Sequence, residues 1–255
     1  MLLIKFLIFC FCFTGCVREE TVHQNQPKYS ALSGSHLEAK WSNSISFPLT
    51  LKYGTNFSTN ELMAIENSAN NWNDSVQNEI HFFDIQPSQV SEKVHVDDYN
   101  DTELGVYKLT KWPTELPPTA LAITQIFGEK IQTSTDTRLE IQHADILVNF
   151  ENFEFSSNGG FIGYDLETII IHEMGHFLGL AHQDSSPETS IMYPTIGQFT
   201  DSKIPKEIDI SNILAKYSVT NTRNESNERE TDRQAVVIIL ELYSNGQEKI
   251  SFKYN

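Results

Sequence analysis

Cysteine is scarce in this chain of 255 residues. The three cysteines, Cys10, Cys12 and Cys16, all lie within the first sixteen positions. The rest of the chain therefore has no thiol with which to form a disulfide. Its fold has to rest on a hydrophobic core, and a content of 39% hydrophobic and 11% aromatic residues is enough for one substantial domain.

Basic residues are also few. Lys and Arg number 18 against 34 Asp and Glu, which gives a formal net charge of −16. Binding to nucleic acid depends on clustered Lys and Arg that neutralise phosphates. The charge balance therefore argues against a nucleic acid as the principal partner, and it favours solubility and repulsion from anionic surfaces.

The apolar run at 6–13 is too short to span a bilayer. Lys5 precedes this run and small residues follow it, an arrangement typical of a cleaved export signal over 1–15. The tetrapeptide Phe-Thr-Gly-Cys that ends at Cys16 resembles the lipobox of bacterial lipoproteins, in which cleavage precedes a lipid-modified Cys. The alternative is an ordinary secretory signal that happens to end near a Cys. We expect an exported protein, anchored to a bacterial membrane through Cys16 or else secreted, with 16–39 as a polar tether.

Patterned sequence begins near Lys40. Ser58 and Glu61 can cap an amphipathic helix that runs to Val76. Asp165 can cap a helix over 166–178 that is apolar on most faces and hence buried. A third amphipathic helix is predicted at 208–217.

Short apolar or alternating runs predict the strands. They lie at 45–53, 80–85, 106–112, 120–127 and 144–150. We expect one domain over 40–218, followed by a polar linker and a C-terminal hairpin within 219–255. The hairpin strands are predicted at 236–243 and 250–254, with an Asn-Gly turn between them.

Three residues of the predicted helix 166–178 form the pattern H-E-x-x-H: His172, Glu173 and His176. Positions i and i+4 share one helical face, so both imidazoles can reach a single ion. Glu173 projects in an adjacent direction, close enough to contact a metal-bound water without being a ligand. Three fixed positions match by chance in about 3% of chains of this length, so the short pattern alone indicates only a zinc site.

The pattern continues through Gly179 and His182 to H-E-x-x-H-x-x-G-x-x-H. Gly179 can adopt positive φ and turn the chain, so that His182 reaches the ion from outside the helix. Three protein ligands leave a fourth position for water, as in catalytic rather than structural zinc sites. The longer pattern predicts one catalytic Zn²⁺ held by His172, His176 and His182.

Ten residues past His182, the segment 192–194 (Met-Tyr-Pro) resembles the Met-turn of the metzincin metallopeptidases, which pair this turn with the long zinc motif. Together with the segments 144–146 and 209–210, it is most similar to the matrixins and their bacterial relatives. The resemblance implies the metzincin fold. This is an α+β domain with a mixed twisted sheet, an active-site helix, a C-terminal helix and a zinc cleft between subdomains.

The same resemblance implies the roles of individual residues. Met192 forms an apolar floor beneath the three His ligands, and Tyr193 and Pro194 line the S1′ pocket just past the scissile bond, along a segment that reaches Ile196. Glu173 is the general base of a zinc-dependent endopeptidase that hydrolyses peptide bonds with metal-activated water. An extended protein or peptide substrate pairs with an edge strand of the sheet. We expect a monomer.

The chain departs from the matrixin pattern in two ways. Positions 17–38 contain no Cys, so the cysteine switch of matrixin pro-segments is missing. The segment 150–165 is too short for the loop that holds a second zinc, so His95 and His143 are not expected to be ligands.

Two alternatives remain open from the sequence. The acidic stretch 96–103 either holds Ca²⁺ or is simply solvated. The alternative to a peptidase is a non-catalytic zinc-binding surface protein on a metzincin scaffold.

Overall fold

A computed structural model describes residues 30–33, 39–76, 79–134, 137–157, 163–183, 186–217 and 230–244. The predicted signal peptide, Cys16 and the proposed lipid attachment lie outside these residues and stay predictions. Each helix within the described ranges is too short or too polar to cross a membrane.

Eleven strands and three α-helices make up the described part of the chain. The strands are β1 (Ser30–Ser33), β2 (Lys40–Trp41), β3 (Leu49–Gly54), β4 (Phe83–Val90), β5 (Gly105–Leu109), β6 (Ala120–Thr133), β7 (Thr137–Asn149), β8 (Phe155–Ser156), β9 (Tyr164–Asp165), β10 (Thr195–Ile196) and β11 (Glu230–Ser244). The helices are α1 (Thr59–Ser75), α2 (Leu166–Phe177) and α3 (Glu207–Tyr217), and a 3₁₀ turn covers Val96–Tyr99.

Nine of these strands form one mixed sheet. Its order is β4-β3-β5-β7-β6-β11-β1, with β2 added to β7 and β10 added to β11. The pairs β3–β4, β3–β5 and β5–β7 are parallel, whereas β6 runs antiparallel to both β7 and β11. Together with the helices, this mixed sheet confirms the predicted α+β class.

The helices lie against one face of the sheet. Ile65 of α1 and Met174 of α2 belong to one buried apolar cluster with Leu51 and Ile126 of the sheet. The indole N–H of Trp72 in α1 also donates to the Ile171 carbonyl in α2, at 2.9 Å. A second apolar cluster covers the opposite face of the sheet, so the central strands are buried on both sides, and α2 is fixed in the core.

The predicted helices are confirmed, whereas several strands differ in length. Ser58 and Glu61 form a reciprocal capping box at the start of α1, and α2 and α3 lie where the periodicity placed them. The strand predicted at 120–127 continues to Thr133, because antiparallel pairing with β7 carries it past the apolar residues. Cross-strand hydrogen bonds of this kind do not require an apolar side chain at each position.

The C-terminal segment differs most from the sequence-based expectation. The strand predicted at 236–243 lies in β11, but β11 starts at Glu230, inside the predicted linker, and its antiparallel partner is β6. Its run Val-Val-Ile-Ile-Leu is continuously apolar, which is typical of a strand buried on both faces rather than of a surface hairpin. The other predicted hairpin strand, 250–254, lies outside the described residues.

The N-terminal segment differs as well. Ser30–Ser33, within the predicted tether, is the strand β1 and pairs in parallel with β11. Backbone pairing to an edge needs little side-chain pattern, so the residues of β1 carry no local signal of a strand.

Candidate metal centre

The helix α2 carries the first two histidines of the motif. Its N-cap is Asp165, as predicted, whose carboxylate accepts the Thr168 amide at 2.8 Å and hydroxyl at 2.9 Å. All of its residues except Glu167 are buried, because the helix lies between the sheet and α1. Such a helix holds its side chains in fixed directions, which a preorganised metal site requires.

Gly179 turns the chain out of α2. Its φ is +86°, and a Cβ at this position would lie 2.1 Å from the Ala39 carbonyl oxygen. Its amide donates to the His176 carbonyl at 2.7 Å, which closes the end of the helix. Only glycine fits both the left-handed backbone and this close approach, and the turn brings His182 back to the helix as predicted.

The three histidines converge on one point. The Nε2 atoms of His172 and His176 are 3.0 Å apart, those of His172 and His182 are 3.2 Å apart, and those of His176 and His182 are 3.0 Å apart. Zn–N bonds of about 2.0–2.1 Å at tetrahedral angles separate the nitrogens by roughly 3.3–3.4 Å. The observed spacing is close to this value, so the three residues fit a single zinc ion.

Carbonyl groups set the tautomers of two of these rings. His172 Nδ1 lies 2.6 Å from the Ile191 carbonyl oxygen, and His176 Nδ1 lies 2.7 Å from that of Leu180. A carbonyl can only accept, so each Nδ1 carries the hydrogen and each Nε2 keeps its lone pair for a metal. Burial lowers the pKa of His172 to about 4, which keeps the ring neutral at physiological pH.

Glu173 is fully buried beside the histidines and is held from one side. Thr124 in β6 places its hydroxyl 2.6 Å from Glu173 Oε2 and 3.0 Å from the Glu173 carbonyl oxygen. Glu173 Oε1 makes no hydrogen bond to any described residue. Burial raises the pKa of Glu173 to about 8, while the Thr124 hydrogen bond lowers it and the charge of Glu241 raises it. A buried carboxylate oxygen without a partner fits a site that receives a water molecule.

Met192 lies directly beneath α2. A Cβ on Gly175 would meet the Met192 sulfur at 2.3 Å, so the absence of a side chain at 175 makes room for the methionine. The Met192 carbonyl accepts the Gln183 amide at 2.9 Å, which links the turn to the residue after His182. Met192 is fully buried in this position, and its role as an apolar floor beneath the histidines stays a prediction.

Asp209 at the start of α3 fixes the turn that carries Met192. Its carboxylate accepts the Ser190 hydroxyl at 2.5 Å and the Ile191 and Lys206 amides at 2.9 Å each, and it is completely buried. Because Ile191 supplies the carbonyl that orients His172, Asp209 acts on the metal centre through the backbone.

A cavity of about 600 Å³ opens beside the Met-turn segment. Tyr193, Thr195 and Ile196 line it, together with Thr168 of α2, whereas Pro194 does not. The cavity thus adjoins one of the two residues that the resemblance places in the S1′ wall, and its identity as the S1′ pocket stays a prediction.

The other polar candidates do not form a metal site within the described residues. His143 is buried and lies 2.7 Å from Asp145 Oδ2, and burial raises the pKa of Asp145 to about 6. In the acidic stretch, Asp101 pairs with Lys93 and Glu103 pairs with Lys52. His172, His176 and His182 are the described group of three side chains whose ligand atoms lie close enough to share an ion. Calcium binding stays a prediction from the acidic composition alone.

Sequence reasoning missed two residues of the centre. Thr124 is a polar residue in the apolar run 120–127, and Asp209 is a carboxylate in the amphipathic helix 208–217. Both are fully buried. The available signal was a polar residue inside an apolar pattern. This signal does not identify the partner, because Thr124 contacts a residue 49 positions away and Asp209 one 18 positions away.

Comparison with known proteins agrees with this geometry. The family model described as Matrixin matches residues 40–218, more than half of the chain. Metalloendoproteinase 2-MMP of Arabidopsis thaliana is 52% identical over 48 residues, which are 19% of this chain and 11% of that protein. Metalloendoproteinase 1-MMP of Arabidopsis thaliana is 32% identical over 80 residues, 31% of this chain and 21% of that protein. The matched segments thus span less than a quarter of these relatives. By its match over 40–218, the chain belongs to the matrixin family.

Proposed function

We propose that this protein is a zinc-dependent endopeptidase. The observation that carries the proposal is the convergence of three Nε2 atoms within 3.0–3.2 Å of one another, next to a buried carboxylate. His172, His176 and His182 would hold the ion. When bound, zinc supplies Lewis-acid chemistry that activates water and polarises a carbonyl.

Glu173 moves the protons of the reaction. Its unpartnered oxygen Oε1 accepts a proton from the attacking water and then passes it to the nitrogen of the leaving amine. Thr124 donates to the other oxygen, Oε2, and keeps the carboxylate in one orientation through both transfers. No further acid is needed, because one carboxylate serves as base and then as acid.

An extended peptide substrate pairs with the side of β6 that faces away from β7, a side that β11 covers in this structure and has to leave first. Main-chain hydrogen bonds to an exposed strand give such a complex its affinity, and side-chain pockets give it specificity. The cavity lined by Tyr193 and Ile196 receives the side chain just past the scissile bond. Its lining combines the apolar Ile191 and Ile196 with the polar Thr168 and Thr195.

Zinc content and chelator-sensitive hydrolysis test the metal role. We expect one zinc per chain by elemental analysis, and cleavage of a labelled unfolded protein that stops with a chelator and returns with added Zn²⁺. His182→Ala should lower zinc affinity at least tenfold, because it removes one of three ligands. The control His95→Ala, in an exposed side chain, should leave both zinc and cleavage unchanged. Stoichiometric zinc without cleavage, even in the chain with the open slot described below, would favour the non-catalytic alternative.

We also propose that Cys16 carries a lipid anchor and that the protein is exported. The support is the apolar run 6–13 followed by the lipobox-like tetrapeptide. In a bacterial host, we expect the protein in the membrane fraction and Cys16→Ser in the soluble fraction. Equal membrane association of both forms would contradict the anchor.

A further inference from the structure

The strand β11 occupies the side of β6 that a peptide substrate needs. β6 has β7 along one side and β11 along the other, paired from Glu230 to Tyr243. The family model ends at residue 218, so β11 lies outside the matched domain. On this side, the matched part of the sheet thus stops at β6, and a further segment of the same chain covers it.

The register places β11 across the metal centre. Leu240 pairs with Thr124, the residue whose hydroxyl holds Glu173, and Leu242 pairs with Ala122. Beyond this point Tyr243 pairs with Thr195 and Ser244 with Ile196, in the segment that lines the S1′ cavity. β11 therefore lies in a slot with β6 on one side and β1 and β10 on the other, and β10 pairs with its last two residues as it would with an extended peptide.

The side chains of β11 alternate as those of a bound peptide would. Leu240 and Leu242 are buried in the apolar cluster that contains Met192 and Ile196. Ile239 and Tyr243 belong to the cluster on the opposite face. Leu242 shares its cluster with Met174 of α2 and directly precedes Tyr243, which pairs with Thr195 of the Met-turn segment.

The metal centre is closed while β11 is in place. His172, Glu173 and His176 have no exposed surface, and His182 is 3% exposed. A peptidase has to bring a substrate carbonyl to the metal, and a peptide cannot pair with β6 while β11 does. Substrate binding and β11 binding are mutually exclusive in this arrangement.

We propose that β11 is a resident pseudo-substrate that keeps the full-length chain latent until it leaves the slot. The inference rests on the proposed peptidase function. It assigns the slot to extended peptides that place a leucine-sized apolar side chain where Leu242 lies. It also supplies a form of latency that uses no cysteine, consistent with the absence of Cys from 17–38.

The test uses the full-length, zinc-loaded chain with one charge added to β11. Leu242→Asp places a carboxylate in a fully buried apolar position and should release the strand. Gln234→Asp adds the same charge at an exposed position of the same strand and should leave the strand in place. We expect Leu242→Asp to hydrolyse a labelled unfolded protein at least tenfold faster than the wild type, and Gln234→Asp within twofold of it. Equal and measurable hydrolysis by the two variants at equal zinc content would overturn the inference and leave the proposed function standing.

Hydrogen exchange on the wild-type chain gives a second measurement that needs no variant to fold. A leucine-containing peptide hydroxamate carries a zinc ligand on an extended backbone and should compete with β11. We expect its binding to accelerate amide exchange at 236–243 while α2 stays protected. Unchanged exchange at 236–243 with the hydroxamate bound would overturn the inference. If β11 exchanges freely in Leu242→Asp, zinc stays bound and no hydrolysis appears, the proposed function fails, and the latency inference fails with it.

Discussion

At the scale of single residues, the metal centre depends on residues that hydrogen-bond to the motif as much as on the motif itself. The three histidines and Glu173 follow from spacing alone, because i and i+4 share a helical face and Gly179 permits the turn. Thr124 does not follow from spacing, because its place beside Glu173 depends on how β6 packs on α2. A single sequence carries no local sign of such a contact.

Thr124→Val should weaken both stability and catalysis. The substitution keeps the shape but leaves Glu173 Oε2 buried without its donor, which costs about 1–3 kcal/mol in the free energy of unfolding. A carboxylate that is no longer oriented should also lower kcat roughly tenfold, measured in a chain that also carries Leu242→Asp. Thr124→Ser keeps the hydroxyl and should recover most of the activity. Full activity in Thr124→Val would show that Thr124 does not position the base.

At the scale of elements, helices were predictable and the pairing of strands was not. Asp165, Ser58 and Glu61 mark helix starts by hydrogen bonds within three residues, so the sequence contains the whole signal. Asp209 shows what local pattern does not predict, because its hydrogen bonds connect the start of α3 to the turn that carries Met192. The turn and the helix are each visible in the sequence, but the bond between them is not.

Asp209→Asn should loosen the Met-turn segment. In the aspartate, Oδ2 accepts two backbone N–H groups and Oδ1 accepts the Ser190 hydroxyl. Asparagine replaces one of these oxygens by an NH₂ group, which cannot accept a hydrogen bond. We expect the free energy of unfolding to fall by about 1.5–3 kcal/mol, the range for hydrogen bonds to a charged group. Zinc affinity should fall about tenfold or more, because the Ile191 carbonyl orients His172.

The matched control is Asp201→Asn. The Asp201 side chain is 75% exposed and lies 3.3 Å from the Lys203 ammonium in a surface pair. We expect its unfolding free energy to change by less than about 0.5 kcal/mol and its zinc affinity to stay constant. Equal losses of unfolding free energy and zinc affinity in the two variants, measured by urea unfolding and competitive zinc titration, would show that Asp209 does not support the metal centre.

At the scale of the whole molecule, the structure changes the interpretation of the C-terminal segment. The pattern at 236–243 was enough to predict a strand, but β11 pairs with a strand more than 100 positions earlier in the chain. Local periodicity cannot choose between a nearby hairpin partner and such a distant one. The matched domain, the three-histidine cluster and the segment that carries Met192 were therefore predictable, whereas the pairing of β11 with β6 was not.

Hydrolysis by a chain whose slot is no longer filled by β11 tests directly whether Glu173 is the base of a zinc peptidase. Leu242→Asp and the double variant with Glu173→Gln are compared at equal zinc content on the same labelled unfolded protein. We expect Glu173→Gln to lower the rate of hydrolysis by about 10²–10⁴-fold, as for removal of a general base, while one zinc per chain stays bound. Cleavage by the double variant at the rate of Leu242→Asp alone would contradict the account.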